Sequence, residues 1–157
     1  VAGVLEFMRA DLERRGVAVE TRLEAGDAKV DIDRVALEQV LINLVGNARD
    51  ALAVEPPGRR VVRVGAAVEG GEACIEVADF GPGLGDDPER VFEAFFTTKP
   101  QGLGLGLPIS RSIVAAHGGT LAAATRPKAD GGGAVFTVRL PLSGWGAPEA
   151  ARTGGGR

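Results

Sequence analysis

Apolar positions in the first fourteen residues recur every three to four: Val1, Val4, Leu5, Met8 and Leu12, with Glu6, Arg9, Glu13 and Arg14 between them. That spacing predicts an amphipathic helix, with Gly16 as its stop signal. The period then changes. Residues 17–23 alternate as a strand does, and Ala28–Ile32 reads as a second, short strand. From Asp33, placed to cap a helix, Val35, Leu37, Val40, Leu41, Leu44, Val45, Ala48, Ala51 and Leu52 form a wide apolar face that ends at Pro56-Pro57-Gly58. Strands are predicted over Arg60–Val68 and Glu72–Ala78, turning at Gly70-Gly71. A helix follows from about residue 105 to Ala116, before His117-Gly118-Gly119. Two closing strands, Thr120–Thr125 and Ala134–Leu140, flank Gly131-Gly132-Gly133. Three main helices and several hairpin-connected strands predict an α+β protein: a two-layer sandwich, helices on one face of a mixed, mostly antiparallel sheet. Residues 143–157 are Gly/Ala/Pro/Arg-rich, lack periodicity and are expected to form a mobile tail.

Composition narrows the chemistry. The 157 residues carry Lys+Arg 18 against Asp+Glu 21, a formal charge of -3, with no basic block, so nucleic acid or an anionic membrane surface is not expected as a partner. A single cysteine, Cys74, excludes an intrachain disulfide framework and cysteine-rich zinc sites, and a single histidine, His117, excludes any mechanism that needs two. No apolar run reaches the length of a membrane span. Glycine is the unusual count: Gly 24 and Pro 9 make about a fifth of the chain, and the glycines are concentrated in a few places.

Four segments carry the candidate chemistry. In the long helix, Asn43 and Asn47 are one turn apart on an otherwise apolar stretch, and asparagine is a poor helix former. An amide oxygen is a hard ligand, suited to Mg²⁺ shared with phosphates; the alternative is a pair of satisfied core amides. Ala78-Asp79-Phe80-Gly81-Pro82-Gly83 places a carboxylate at a strand end before two glycines. A buried Asp accepts from the exocyclic amine that adenine has and guanine lacks at that edge; the plainer reading is an Asp-Gly turn. Residues 91–100 hold Phe92, Phe95 and Phe96, half of the chain's six phenylalanines, then Thr97, Thr98 and Lys99, whose ammonium can meet a phosphate. Gly102-Leu103-Gly104-Leu105-Gly106 runs into a helix, where free N–H groups and the positive helix end favour a polyphosphate.

In this order and spacing, the four segments resemble the ATP-binding catalytic domain of two-component sensor histidine kinases, a Bergerat-type nucleotide fold. The resemblance sets an asparagine box at 41–51, a first glycine box at 79–83, a phenylalanine box at 92–96 and a second glycine box at 102–107. Thr97-Thr98-Lys99-Pro100 looks like the nitrogen-regulation and oxygen-sensing branch. Ala94 and Phe80 depart from it, where many relatives have Pro and Asn. The family implies Mg²⁺ on Asn47, with Asn43 and Asp50 supporting the phosphate-metal region. Asp79 would bind the adenine amine, with Gly81 and Gly83 making room for the base. Thr97, Thr98, Lys99, Gly102, Leu103, Gly104, Leu105 and Gly106 would form a phosphate-binding lid, with Lys99 and Asn47 closest to the chemistry. ATP and Mg²⁺ are the implied cofactors.

The family's acceptor histidine lies on a preceding dimerisation domain. Residues 1–16 therefore read as a helical joint to that missing domain, 17–142 as the ATP-binding domain and 143–157 as the tail. His117, at a helix end before two glycines, reads as a structural cap. The implied partners are the dimerisation domain of the same protein and a response regulator. The implied location is cytoplasmic, any membrane anchor lying in regions this chain lacks. Relatives that hydrolyse ATP carry a glutamate where this chain has Asn43, an amide that is no general base. The phenylalanine box and the Thr-Thr-Lys lid argue against an anti-sigma serine kinase, and the intact boxes count against a reading from a different class, a non-catalytic ATP-sensing or scaffold domain.

Overall fold

The computed structural model describes residues 1–100 and 102–144. Helix α1 spans Ala2–Arg14 and buries Val4, Met8 and Leu12, the stripe expected from their spacing. Strand β1, Ala18–Leu23, pairs in parallel with β2, Val61–Glu69. The crossover between them contains α2, Arg34–Ala51. Asp33 caps α2: its Oδ1 accepts from the Ala36 N–H at 2.9 Å. Strand β3, Glu72–Asp79, pairs antiparallel with β2 through the two-residue turn Gly70-Gly71. Both turn residues have positive φ, 58° and 84°, the geometry that matches strand twist and that glycine adopts without steric cost. Helix α3, Gly106–Ala116, is followed by β4, Thr120–Thr125, and β5, Ala134–Pro141. The sheet order is β1-β2-β3-β5-β4.

Strand alternation explains the core. Val62, Val64 and Ala66 of β2, Ile75 and Val77 of β3, and Ala134, Phe136, Val138 and Leu140 of β5 all point into it. They meet Val40, Leu41, Leu44, Val45 and Ala48 of α2 and Val114 of α3. Asp79 is in register with Val62 and two residues on from Val77, so alternation turns it towards the same core face. A carboxylate at the last inward position of a central strand is the feature on which the site is built.

Two expectations are corrected. Ala28–Ile32 does not form a strand; only Val30 makes an isolated bridge, to Leu142. Among the described residues the segment pairs only with Leu142 and Ser143, just past the end of β5, so it makes one bridge instead of a ladder. The tail does not start at Ser143: its N–H donates to the Lys29 carbonyl and its hydroxyl to Asp31 Oδ1, both at 2.7 Å. The rest of the expected tail, from 145 on, lies outside the described residues.

Candidate functional site

Helix α2 presents Asn43, Asn47 and Asp50 at spacings of four and three, which puts them along one face. The opposite face is the buried stripe just described, so packing fixes the helix rotation and aims these three away from the core. Lys99 Nζ donates to Asn47 Oδ1 and to Asp50 Oδ2, each at 2.7 Å. Arg49 Nε and Nη2 donate to Asp50 Oδ1 at 2.8 and 2.6 Å. Burial would raise the Asp50 pKa, but the hydrogen bonds from Lys99 and Arg49 outweigh it and hold the carboxyl below its ordinary value. Asn43 Nδ2 donates to the buried Ser110 hydroxyl at 3.0 Å, tying α2 to α3. A Cβ at position 106 would strike Asn43 Oδ1, so glycine at 106 permits that approach.

Asp79 is 2% exposed. Its Oδ1 accepts from the N–H groups of Gly81 at 2.9 Å and Ala134 at 3.2 Å. Both donors converge on one oxygen, which leaves Oδ2 for whatever enters the cavity. Burial is the main influence on this carboxyl and pushes its pKa up, opposed by the two N–H groups and by Arg126.

The lid covers the other side. Phe95 N–H donates to the Gly104 carbonyl at 3.0 Å, drawing these two positions together. Gly104 has φ 67°, and a Cβ there would lie 2.6 Å from the Phe95 carbonyl carbon, so any side chain would break that approach. Lys99 N–H donates to Thr97 Oγ1 at 3.1 Å. Helix α3 then starts at Gly106 with no side-chain cap, so its first N–H groups are free for an anion. We expect amides of residues 102–106 to exchange quickly in the nucleotide-free chain and to slow when Mg²⁺-ATP is added, as hydrogen exchange would show. Unchanged protection would count against a lid.

The residues expected from the sequence to hold nucleotide or metal line one cavity of about 810 Å³, with the exception of Gly81. Asn43, Asn47 and Asp50 form one wall, Asp79 and Gly83 the far end, and Thr97, Thr98, Lys99, Gly102, Leu103, Gly104, Leu105 and Gly106 the lid. Gly81 sits behind Asp79, where its N–H orients the carboxylate and a Cβ would lie 3.0 Å from the Ala51 carbonyl. Its N–H thus acts as a donor to Asp79, in a place too tight for a side chain. The phenylalanines divide: Phe96 lines the cavity, Phe92 packs on the core beneath Arg111, and Phe95 is exposed with φ 68°. Phe80 turns away from the cavity, between the guanidinium groups of Arg63 and Arg126.

Sequence reasoning missed Ser110, Arg49 and Thr125. Thr125 Oγ1 accepts from the Leu84 N–H at 3.2 Å and braces the turn after Asp79. A buried serine one turn into α3 and an Arg-Asp pair beside Asn47 were readable, but their partners lie far away in sequence. His117 caps α3 as expected: Nδ1 meets the Ile113 carbonyl at 2.8 Å, and the Gly119 N–H closes on the Val114 carbonyl at 3.0 Å. His117→Gln should cost about 1 kcal/mol or less of stability, measured by thermal melting, and leave nucleotide affinity unchanged.

A family model described as histidine kinase-, DNA gyrase B- and HSP90-like ATPase matches residues 32–144. The chain belongs to this family. Within it, the fold is that of the nucleotide-free catalytic domain of histidine kinase ThkA, at TM-score 0.75 and 28% identity over 89% of this chain and 90% of that one. Full-length ShkA in complex with AMPPNP matches at TM-score 0.74 and 31% identity, over 90% of this chain and 29% of that one. In sequence it is 41% identical to the C4-dicarboxylate transport sensor protein DctS of Rhodobacter capsulatus, over 84% of this chain and 20% of DctS. To the sensor protein FixL of Bradyrhizobium diazoefficiens it is 39% identical, over 85% of this chain and 26% of FixL. The chain thus spans about a fifth to a quarter of the length of these curated relatives, as the ATP-binding catalytic domain of a sensor histidine kinase.

Proposed function

We infer that this domain binds Mg²⁺-ATP between α2 and the lid and donates the γ-phosphoryl group to a histidine on a separate dimerisation domain of the same protein. The observation that carries this reading is the arrangement around one cavity: a buried carboxylate with a free oxygen at one end, and two hard oxygens holding an ammonium at the other. The first suits an adenine amine. The second suits a cation that accompanies a polyphosphate.

The donor set fits Mg²⁺. Asn47 Oδ1 and Asp50 Oδ2 already share one positive group, the Lys99 ammonium. Among the described residues no cluster of three or more His, Cys, Asp or Glu could hold a metal, so the ion would be shared with phosphate oxygens, as Mg²⁺ commonly is. When bound, it would neutralise charge on the β- and γ-phosphates. Asn47 and Asp50 would hold it. Lys99, displaced from them, would meet a phosphate as a point charge, and the free N–H groups at the start of α3 would hold further phosphate oxygens. Phosphoryl transfer asks of the protein chiefly such placement and neutralisation.

Asn43 bears on the choice between transfer and hydrolysis. Its amide is engaged with Ser110 and cannot take a proton from water. We therefore expect ATP to be stable on this chain in the absence of an acceptor. A response regulator is the expected downstream partner; a structure of ThkA holds the response regulator TrrA. No helix among the described residues is long and apolar enough to cross a membrane, and we place the domain on the cytoplasmic side, where ATP is available. Calorimetric titration with ATP, with and without Mg²⁺, tests the binding step. Binding strengthened by Mg²⁺ is expected; no binding, or binding indifferent to Mg²⁺, would overturn the reading.

A further inference from the structure

We propose that Arg49 is a positioning residue for the cation site: anchored by Asp11 of α1, it locks one oxygen of Asp50 so that the other, with Asn47, forms a seat filled by Lys99 until a divalent ion replaces it. This rests on the reading that the cavity takes Mg²⁺-ATP.

The geometry runs through six side chains. Asp11 on α1 accepts from Arg49 Nη1 through Oδ2 and from Arg14 Nη2 through Oδ1, the latter at 2.6 Å. Arg49 turns its other edge to Asp50, placing Nε and Nη2 on the same oxygen, Oδ1, at 2.8 and 2.6 Å. A carboxylate with one oxygen held by two donors of a rigid guanidinium cannot rotate freely. Its Oδ2 is therefore presented to the cavity, where Lys99 Nζ lies 2.7 Å away and equally close to Asn47 Oδ1. The Arg49 side chain is only 20% exposed, so it is packed as well as bonded. Arg49 does not line the cavity and so acts through Asp50 rather than on nucleotide.

Asp50 is thus held between two cations, Arg49 and Lys99, and Arg49 between two carboxylates, Asp11 and Asp50. With nucleotide and a divalent ion bound, Asp50 and Asn47 would hold the ion and Lys99 would meet a phosphate instead. The fork of Arg49 keeps the Asp50 oxygen in place during that exchange.

Arg49→Lys separates position from charge. Lysine keeps the positive charge but cannot place two donors on Asp50 and a third on Asp11. We expect the strengthening of ATP binding by Mg²⁺ to fall about fivefold, the scale of one charge-assisted hydrogen bond in a partly exposed site. ATP affinity without Mg²⁺ should change less than about twofold, since adenine recognition at Asp79 is untouched. In the nucleotide-free chain, the amides of Thr98 and Lys99 should exchange faster than in wild type. Asp11→Asn, on α1 and remote from the nucleotide, should give the same signature more weakly. The two substitutions together should be no worse than Arg49→Lys alone, because they break one chain of contacts.

Wild-type Mg²⁺ dependence and wild-type Thr98 and Lys99 exchange in both variants would overturn the proposal. So would an equal loss of affinity with and without Mg²⁺, the mark of a merely structural role. If Arg49→Lys fails to fold, Asp11→Asn decides alone by the same readouts. Failure of the wild-type chain to bind ATP would instead defeat the reading of the cavity, while the nucleotide-free exchange comparison would still decide whether Arg49 positions Asp50 and Lys99.

Discussion

Replacing Asp79 with asparagine is expected to weaken ATP binding about a hundredfold and to narrow the gap between ATP and GTP. The reason lies in which oxygen is already used. The N–H groups of Gly81 and Ala134 both donate to Oδ1. In the variant the amide oxygen must take that place, because an NH₂ group there would face two donors. The NH₂ then points into the cavity, where it opposes the adenine amine and suits the guanine carbonyl. Stability should move the other way. Burial raises the Asp79 pKa, so its contribution to folding is fully present below the ordinary carboxylate range and is lost as pH rises through the raised folded value. The penalty grows as pH rises, so Asp79→Asn should melt at or above the wild-type temperature towards neutral pH, with the difference closing on acidification. Equal wild-type affinity for ATP and GTP, by calorimetry, would remove Asp79 as the base-selecting group.

Asn47→Ala is expected to lower phosphoryl transfer a hundredfold or more, while ATP binding without Mg²⁺ stays within about twofold. The substitution deletes one of the two oxygens that hold the Lys99 ammonium. Asp50 alone, engaged by Arg49 and Lys99, is a poorer seat for a divalent ion that must also be aligned with the γ-phosphate. The fold should not suffer, since alanine is a better helix former than asparagine and Asn47 faces the cavity. Loss of transfer with an unchanged or raised melting temperature would therefore assign the effect to the site. Transfer at the wild-type rate would dismiss Asn47 as a metal ligand.

The sequence made legible whatever depends on local periodicity. The cap at Asp33 and the stripe of α2 fixed which way Asn43, Asn47 and Asp50 point. Alternation through Val62, Val77 and Phe136 likewise set the face on which Asp79 lies. Contacts between distant segments were not legible. Nothing near Asp11 in the chain announces Arg49, and nothing near Asn43 announces Ser110; only the packing of α1 and α3 on α2 brings them together. The N–H of Gly81 on Asp79 was not legible either, because it depends on how the turn after β3 folds back on the carboxylate. Ala28–Ile32 shows the limit of pattern reading, since among the described residues its alternation pairs only with the two after β5 and forms a single bridge. Nothing in the run of phenylalanines told Phe95 apart from Phe92 and Phe96; its left-handed backbone, paired with Gly104, leaves its side chain exposed.

The most direct test of the account is transfer in trans. The chain is incubated with γ-labelled ATP and Mg²⁺, alone and with a separate dimerisation domain carrying its acceptor histidine, and the label is located. Alone, the chain should remain unlabelled, because His117 is engaged with the end of α3. With the acceptor present, label should appear on the acceptor histidine, slowly, since the tether that raises effective concentration is gone. Label on His117 in the isolated chain, or no transfer by a chain that binds Mg²⁺-ATP, would contradict the account.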